Sequence, residues 1–97
     1  MADEASAYFS WNAKKAAANL RKHKVSFEEA ASVFEDSLAD VLADPDHSMD
    51  EHRLLLLGKS RLGRVLVVAF TERVNVIRII SARVTTRSER KDYEENV

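Results

Sequence analysis

Apolar residues recur at helical spacing in the first third of the chain and gather into continuous runs after it. Tyr8 to Trp11 is a short aromatic run that reads as an edge strand or an anchor. Asn12 is then a suitable N-cap, because its side-chain oxygen can accept a first-turn N–H that has no partner within the helix. A helix is predicted from there to about His23, with Ala13, Ala16, Ala17, Leu20 and His23 or Lys24 as its buried stripe. Lys14, Lys15, Arg21 and Lys22 fall on its wetter faces. Ser26 followed by Glu29 has the spacing of a capping box, so a second helix should run from Phe27 to about Glu35. Phe27, Ala30, Ala31 and Phe34 form its apolar face, and the short link of Lys24 and Val25 makes a helical hairpin or corner.

Beyond a strand at Leu38 to Leu42, three continuous apolar runs follow, at His52 to Lys59, Arg64 to Thr71 and Asn75 to Val84, the last two rich in β-branched residues. Runs of this kind joined by short turns predict an antiparallel meander buried on both faces or nearly so. Asp44 to Asp50, which contains Pro45, reads as a loop. Thr86 and Glu89 repeat the capping-box spacing and open a last helix from Arg87 to about Glu95. That helix is short and highly charged, so it must dock on the sheet or on a partner.

Ninety-seven residues suffice for one core but not for two. With no cysteine, disulfides, thiolate nucleophiles and cysteine-ligated zinc are excluded, which fits a reducing cytoplasm without singling it out. No segment has the length and hydropathy of a membrane span, so no membrane role is expected. The formal net charge of -1 conceals a strong segregation. Between Arg53 and Lys91 ten basic residues face only Glu72 and Glu89, whereas Glu35 to Glu51 holds seven acidic residues and no lysine or arginine. The basic stretch favours a polyanion, since each phosphate neutralised releases condensed counterions. Alternatively, the acidic segment folds over the basic sheet.

Glycine-rich phosphate loops, dinucleotide fingerprints and zinc-binding histidine pairs are all missing. His47 and His52 with Asp44, Asp46 and Asp50 form at best a loose cation set within an acidic loop. Neither a metal nor another cofactor is expected. What remains suits RNA cleavage without metal, in which a base takes the 2′-hydroxyl proton, cations stabilise the charged phosphate and an acid protonates the leaving 5′-oxygen. Arginine serves the middle role because its fork binds phosphate bidentately and stays charged. Histidine serves either proton role, with a reference pKa of about 6.5.

Each candidate also has a structural reading. His23 ends the first helix, where the macrodipole favours a cation. Arg78 lies inside an apolar strand, where an unpaired charge is costly. By strict alternation Arg78 and Arg83 fall on opposite faces, and they share a site only if a bulge intervenes. Tyr93 can pack the last helix on the core, and Glu72 can pair with Arg73 or Arg53.

The stretches FSWNAKKAAANLRKHKVSFEEAASVFED (Phe9 to Asp36) and RIISARVTTRSERKDYEE (Arg78 to Glu95), with HRLLLLGKS and LVVAFTERVNV between them, resemble the BrnT-type toxins. These are ribonucleases of bacterial type II toxin–antitoxin pairs, similar to divergent relatives of the RelE fold. The resemblance implies an α+β domain over residues 9–97, in which two N-terminal helices and a C-terminal helix pack on a central antiparallel sheet. It implies an endoribonuclease that arrests translation in the cytoplasm. A BrnA-type antitoxin would neutralise it, contact operator DNA on behalf of the pair, and allow a homodimer or heterotetramer in the complex. Residue by residue, it implies a charged site drawn from His23, Arg53, Glu72, Arg73, Arg78, Arg83 and Tyr93. Within it we expect His23, Glu72, Arg78, Arg83 and Tyr93 to be catalytic, with Arg78 and Arg83 clamping the phosphate, His23 moving a proton and Glu72 as the alternative base. Arg53, Arg64, Arg73 and Arg87 are expected on RNA phosphates. The competing function is a non-catalytic RNA- or protein-binding module with a basic face. Two departures stand out. Lys24 occupies a position where the family usually has glycine, and residues 1–8 have no counterpart and are expected to be a flexible extension.

Overall fold

A computed structural model describes residues 3–5, 8–45 and 52–95. In chain order they form β1 (Asp3–Ala5), β2 (Phe9–Asn12), α1 (Ala13–His23), α2 (Phe27–Ser32), a 3-10 turn (Val33–Glu35) and β3 (Asp40–Ala43). The chain continues through β4 (Leu54–Lys59), β5 (Val65–Arg73), β6 (Val76–Val84) and α3 (Arg87–Glu95).

Each predicted N-cap side chain accepts a first-turn N–H, although the Glu29 half of the Ser26 box is turned to Ser60 and Arg64. Asn12 accepts from the Lys15 N–H and Ser26 from the Glu29 N–H. At α3 the box is reciprocal, with Glu89 N–H donating to Thr86 Oγ1 and Thr86 N–H to Glu89 Oε1. The buried stripe of α1 differs from the expected one. Leu20 is half exposed and Ala17 is exposed, whereas Asn19 is buried. The Asn19 amide donates to the carbonyls of Val25 and Ala82 and accepts the Ala82 N–H. One side chain thereby satisfies both backbone groups of Ala82 on β6.

The described strands form one six-stranded sheet in the order β1-β2-β6-β5-β4-β3. It is mixed, not antiparallel as expected, because β2 pairs parallel with β6 through Phe9–Ile77 and Ser10–Arg78. A parallel neighbour needs a long crossover, and α1, α2 and the β3–β5 meander supply it. The meander itself is antiparallel throughout.

The helical face of the sheet carries the larger core. Leu56, Leu66, Val68, Phe70, Ile79 and Ala82 pack there against Trp11, Val25, Phe27, Ala30 and Val33. Edge-to-face rings join Phe34 to both Phe9 and Phe70, at 5.2 and 5.0 Å between centroids. Gly58 lies where the 3-10 turn crosses β4. A Cβ there would come within 2.8 Å of Ala39 Cβ and 2.9 Å of Val33 Cγ1, so only glycine permits this approach. The opposite face holds a smaller cluster of Leu55, Leu57, Val65 and Val67, closed at one end by Tyr93 of α3. The rest of that face, the one turned away from α1 and α2 and called the open face, bears Ala69 and Thr71, which are also buried.

Candidate active site

The register of β5 and β6 decides which side chains reach the open face. Thr71 pairs with Arg78, Phe70 with Ile79, then Ala69 with Ser81 and Val67 with Arg83. Ile80 is therefore the additional residue of a bulge between Ala69 and Phe70. Alternation restarts beyond it, and Arg78, Ser81 and Arg83 all lie on the face away from α1 and α2. Arg53, just before β4, belongs to the same face, since Leu55 and Leu57 do and Arg53 precedes them by two and four positions.

α1 ends at the edge of β6 and brings its last residue to this surface. His23, Asp44, Arg53, Leu55, Val67, Ala69, Ser81, Ala82 and Arg83 line a cleft of about 240 Å³. That is smaller than the roughly 300–1,000 Å³ of a pocket for a whole ligand, which suits one segment of a strand lying across it. His23, Arg53 and Arg83 are thus brought together from a helix end and two strands, with the buried carboxyl of Asp44 beside them.

Arg83 is held on one edge. Its Nη1 and Nη2 donate to Glu89 Oε1 and Oε2 at 2.8 and 2.9 Å, and Nη1 also reaches the Val84 carbonyl. The hydrogen bonds from Arg83, foremost among the causes, pull the Glu89 carboxyl down to about 2. The same contact raises the Arg83 guanidinium above its ordinary value. No hydrogen bond among the described residues uses Arg83 Nε. Its N–H and the second N–H of Nη2 form the side-on fork that matches two phosphate oxygens.

Other expected site residues lie elsewhere. Arg78 shares the face but is four β5 residues along from the Arg83 row, about 13 Å at strand rise, and contacts Ser10 Oγ at 3.3 Å. Glu72 faces the other way at the exposed strand end, where it shares shallow depressions with Arg73 and Asn75 and with His52 and Arg53. Arg87 lines a separate groove with Arg64 and Arg90.

Tyr93 is 4% exposed and its hydroxyl donates to Asp36 Oδ2 at 2.6 Å. Burial first, and then the Asp36 carboxylate, push its phenol up to about 12. Burial raises Asp36, but hydrogen bonds from Lys59 N–H, Tyr93 and Leu38 N–H outweigh it and leave that carboxyl below its usual range. Tyr93 therefore ties α3 to the sheet. Arg64 is bound to the buried Glu29. Most of the loose cation set, Asp46, His47 and Asp50, lies outside the described residues. Among the described ones no group of three or more His, Asp or Glu side chains is placed to hold a metal.

Sequence reasoning missed Ser81 and Asp44 as lining residues and Asn19 as the side chain that seats α1. A polar residue amid the alanines of α1 was the available signal for Asn19.

The family described as "Ribonuclease toxin, BrnT, of type II toxin-antitoxin system" matches residues 11–89. The fold is similar to a 1.1 Å crystal structure of the Brucella abortus ribonuclease toxin BrnT, with a TM-score of 0.61 and 20% identity over 79% of this chain and 94% of that one. No curated protein matches the chain. The family match spans the two N-terminal helices, the whole meander and the residues of the cleft, and the chain belongs to the BrnT ribonuclease toxins of type II toxin–antitoxin systems.

Proposed function

We propose that this chain is an endoribonuclease that cuts RNA without a metal ion at the cleft between the end of α1 and the open face of the sheet. The observation carrying this reading is the convergence of His23, Arg53 and Arg83 on one small cleft from three separate elements. Arg83, oriented by Glu89, offers its side-on fork to the scissile phosphate, and Arg53 adds a second cation. Charge developing on the phosphate is then met by fixed donors, which is where such sites gain most. His23 carries one proton of the reaction, and Asp44, the carboxylate lining the same cleft, is the candidate for the other. Arg78 sits too far along the face to share that phosphate and suits a flanking one of the same strand.

In this reading Glu72 and Tyr93 are not catalytic, and Arg73 and Arg87 extend the basic track to either side. The chain arrests translation by destroying RNA in the cytoplasm. A BrnA-type antitoxin covers the toxin and makes the DNA contacts of the pair, with the complex a dimer or heterotetramer. The arrangement of helices and sheet fits a divergent RelE-type scaffold.

The test is direct. Purified chain freed of antitoxin is incubated with RNA in excess chelator, and cleavage is expected. Tight binding with intact RNA at micromolar protein would favour a non-catalytic basic module instead.

A further inference from the structure

The last turn of α1 ends in a backbone conformation that a side chain disfavours. Lys24 has φ 59 and ψ 31, the left-handed region, and its N–H returns to the Leu20 carbonyl at 3.0 Å. Glycine occupies such a helix stop without penalty; lysine needs the surroundings to hold it. Those surroundings are Arg64 and Glu29. Arg64 Nη2 donates to the Lys24 carbonyl at 2.9 Å, from a position forty residues along the chain. The same guanidinium grips Glu29, with Nε on Oε2 at 2.9 Å and Nη2 on Oε1. Glu29 is 4% exposed, and Ser60 Oγ donates to it at 2.7 Å.

We propose that Arg64, braced by Glu29, is a positioning residue that locks the Lys24 turn and so fixes His23 in the cleft. The inference rests on the reading of His23 given above. It also removes Arg64 from the phosphate contacts. Both N–H groups of Nη2 and the Nε–H are used, so neither fork of the guanidinium is left for two phosphate oxygens. His23 immediately precedes the locked residue, and rotating the peptide that follows it would swing the imidazole relative to Arg53 and Arg83. Asn19 holds the next carbonyl, that of Val25, so the turn is tied from both sides.

The test uses the antitoxin-free chain with Arg64→Lys, which keeps the charge but loses the fork, alone and combined with Lys24→Gly. His23 ring resonances and single-turnover RNA cleavage are read together. Arg64→Lys is expected to move the His23 resonances, leave those of His52 in place, and slow cleavage about tenfold with KM and salt dependence unchanged. Adding Lys24→Gly should return both readouts to near the parent, because glycine holds the turn unaided. If Arg64→Lys does not fold, Glu29→Gln, which keeps the side-chain volume, is read in the same way. Unmoved His23 resonances, a raised KM with shallower salt dependence, or no restoration by glycine would each overturn the proposal. If His23 moves while His23→Ala still cleaves normally, the lock stands and the catalytic reading of His23 falls.

Discussion

Arg78 and Arg83 project from the same face of the sheet although five positions separate them on β6. An uninterrupted strand would send them to opposite faces. The bulge at Ile80 resets the alternation, so that Ala82 stays in the helical core while Arg83 reaches the cleft. Bulges are common where a strand must re-aim a side chain near a functional surface. Here one additional residue puts two cations on a single track about 13 Å apart, too far to share one phosphate and suited to two different phosphates of one strand.

Salt dependence separates the phosphate contacts from the structural arginines. Log affinity for single-stranded RNA falls with log salt by about 0.7 per phosphate neutralised. Arg53→Gln and Arg78→Gln are each expected to flatten that slope by about 0.7 in titrations between low and physiological salt. An unchanged slope in both would place the RNA on another surface.

Glu89 predicts a loss of stability in acid. Its folded-state pKa of about 2 lies below the ordinary 4.5. A lowered carboxylate contributes stability that is complete above its unfolded value and is lost as pH falls from about 4.5 through about 2. The pair is one-third exposed or more, so solvent screening reduces its contribution to about 1 kcal/mol. Glu29 and Asp36, both lowered, add to the same trend. Thermal melts from pH 7 to 2 should fall below about pH 5. Glu89→Gln should flatten part of that fall, and an identical profile would remove Glu89 as a contributor.

Tyr93→Phe should separate packing from catalysis. The ring stays in the cluster with Leu57, Val65 and Val67, while one hydrogen bond to a carboxylate is lost, at a cost of about 1.5–3 kcal/mol. Cleavage of RNA below the melting temperature should remain within twofold of the parent. A hundredfold loss with unchanged stability would return Tyr93 to the reacting groups.

Asn19 and Leu20 reverse the usual expectation for a helix. Asn19→Ala removes three buried hydrogen bonds and leaves Ala82 and Val25 groups unsatisfied, so urea unfolding should show a loss of about 2–4 kcal/mol. Leu20→Ser, at a half-exposed position, should change stability by no more than about 0.5 kcal/mol. The opposite ranking would mean that α1 packs through its alanine and leucine stripe.

Local signals in the sequence were read well where the structure is local. α3 runs from Arg87 to Glu95 as the Thr86–Glu89 spacing implies, and α1 is capped by Asn12 and stops at His23. Long-range partners were not legible. The Ser26–Glu29 box forms only its first half, because the Glu29 carboxylate turns to Ser60 and Arg64, more than thirty residues away. The parallel pairing of β2 with β6 leaves no mark on either strand's own pattern. At the site, residue types were legible but their grouping was not. Pattern alone could state that Arg78 and Arg83 need a bulge to share a face, yet Ile80 carries no local sign of being the additional residue. Glu72 looked suitable by type, and the register sends it to the other face.

The most direct measurement is the single-turnover rate of RNA cleavage, in excess chelator, by the antitoxin-free chain and by its His23→Ala, Arg53→Ala and Arg83→Ala variants, each first shown to melt normally. A positioned proton carrier contributes about 10²–10⁴-fold, so His23→Ala should lose at least about a hundredfold, with substantial losses in both arginine variants. Rates within about threefold of the parent in all three variants would show that this cleft is not where RNA is cut.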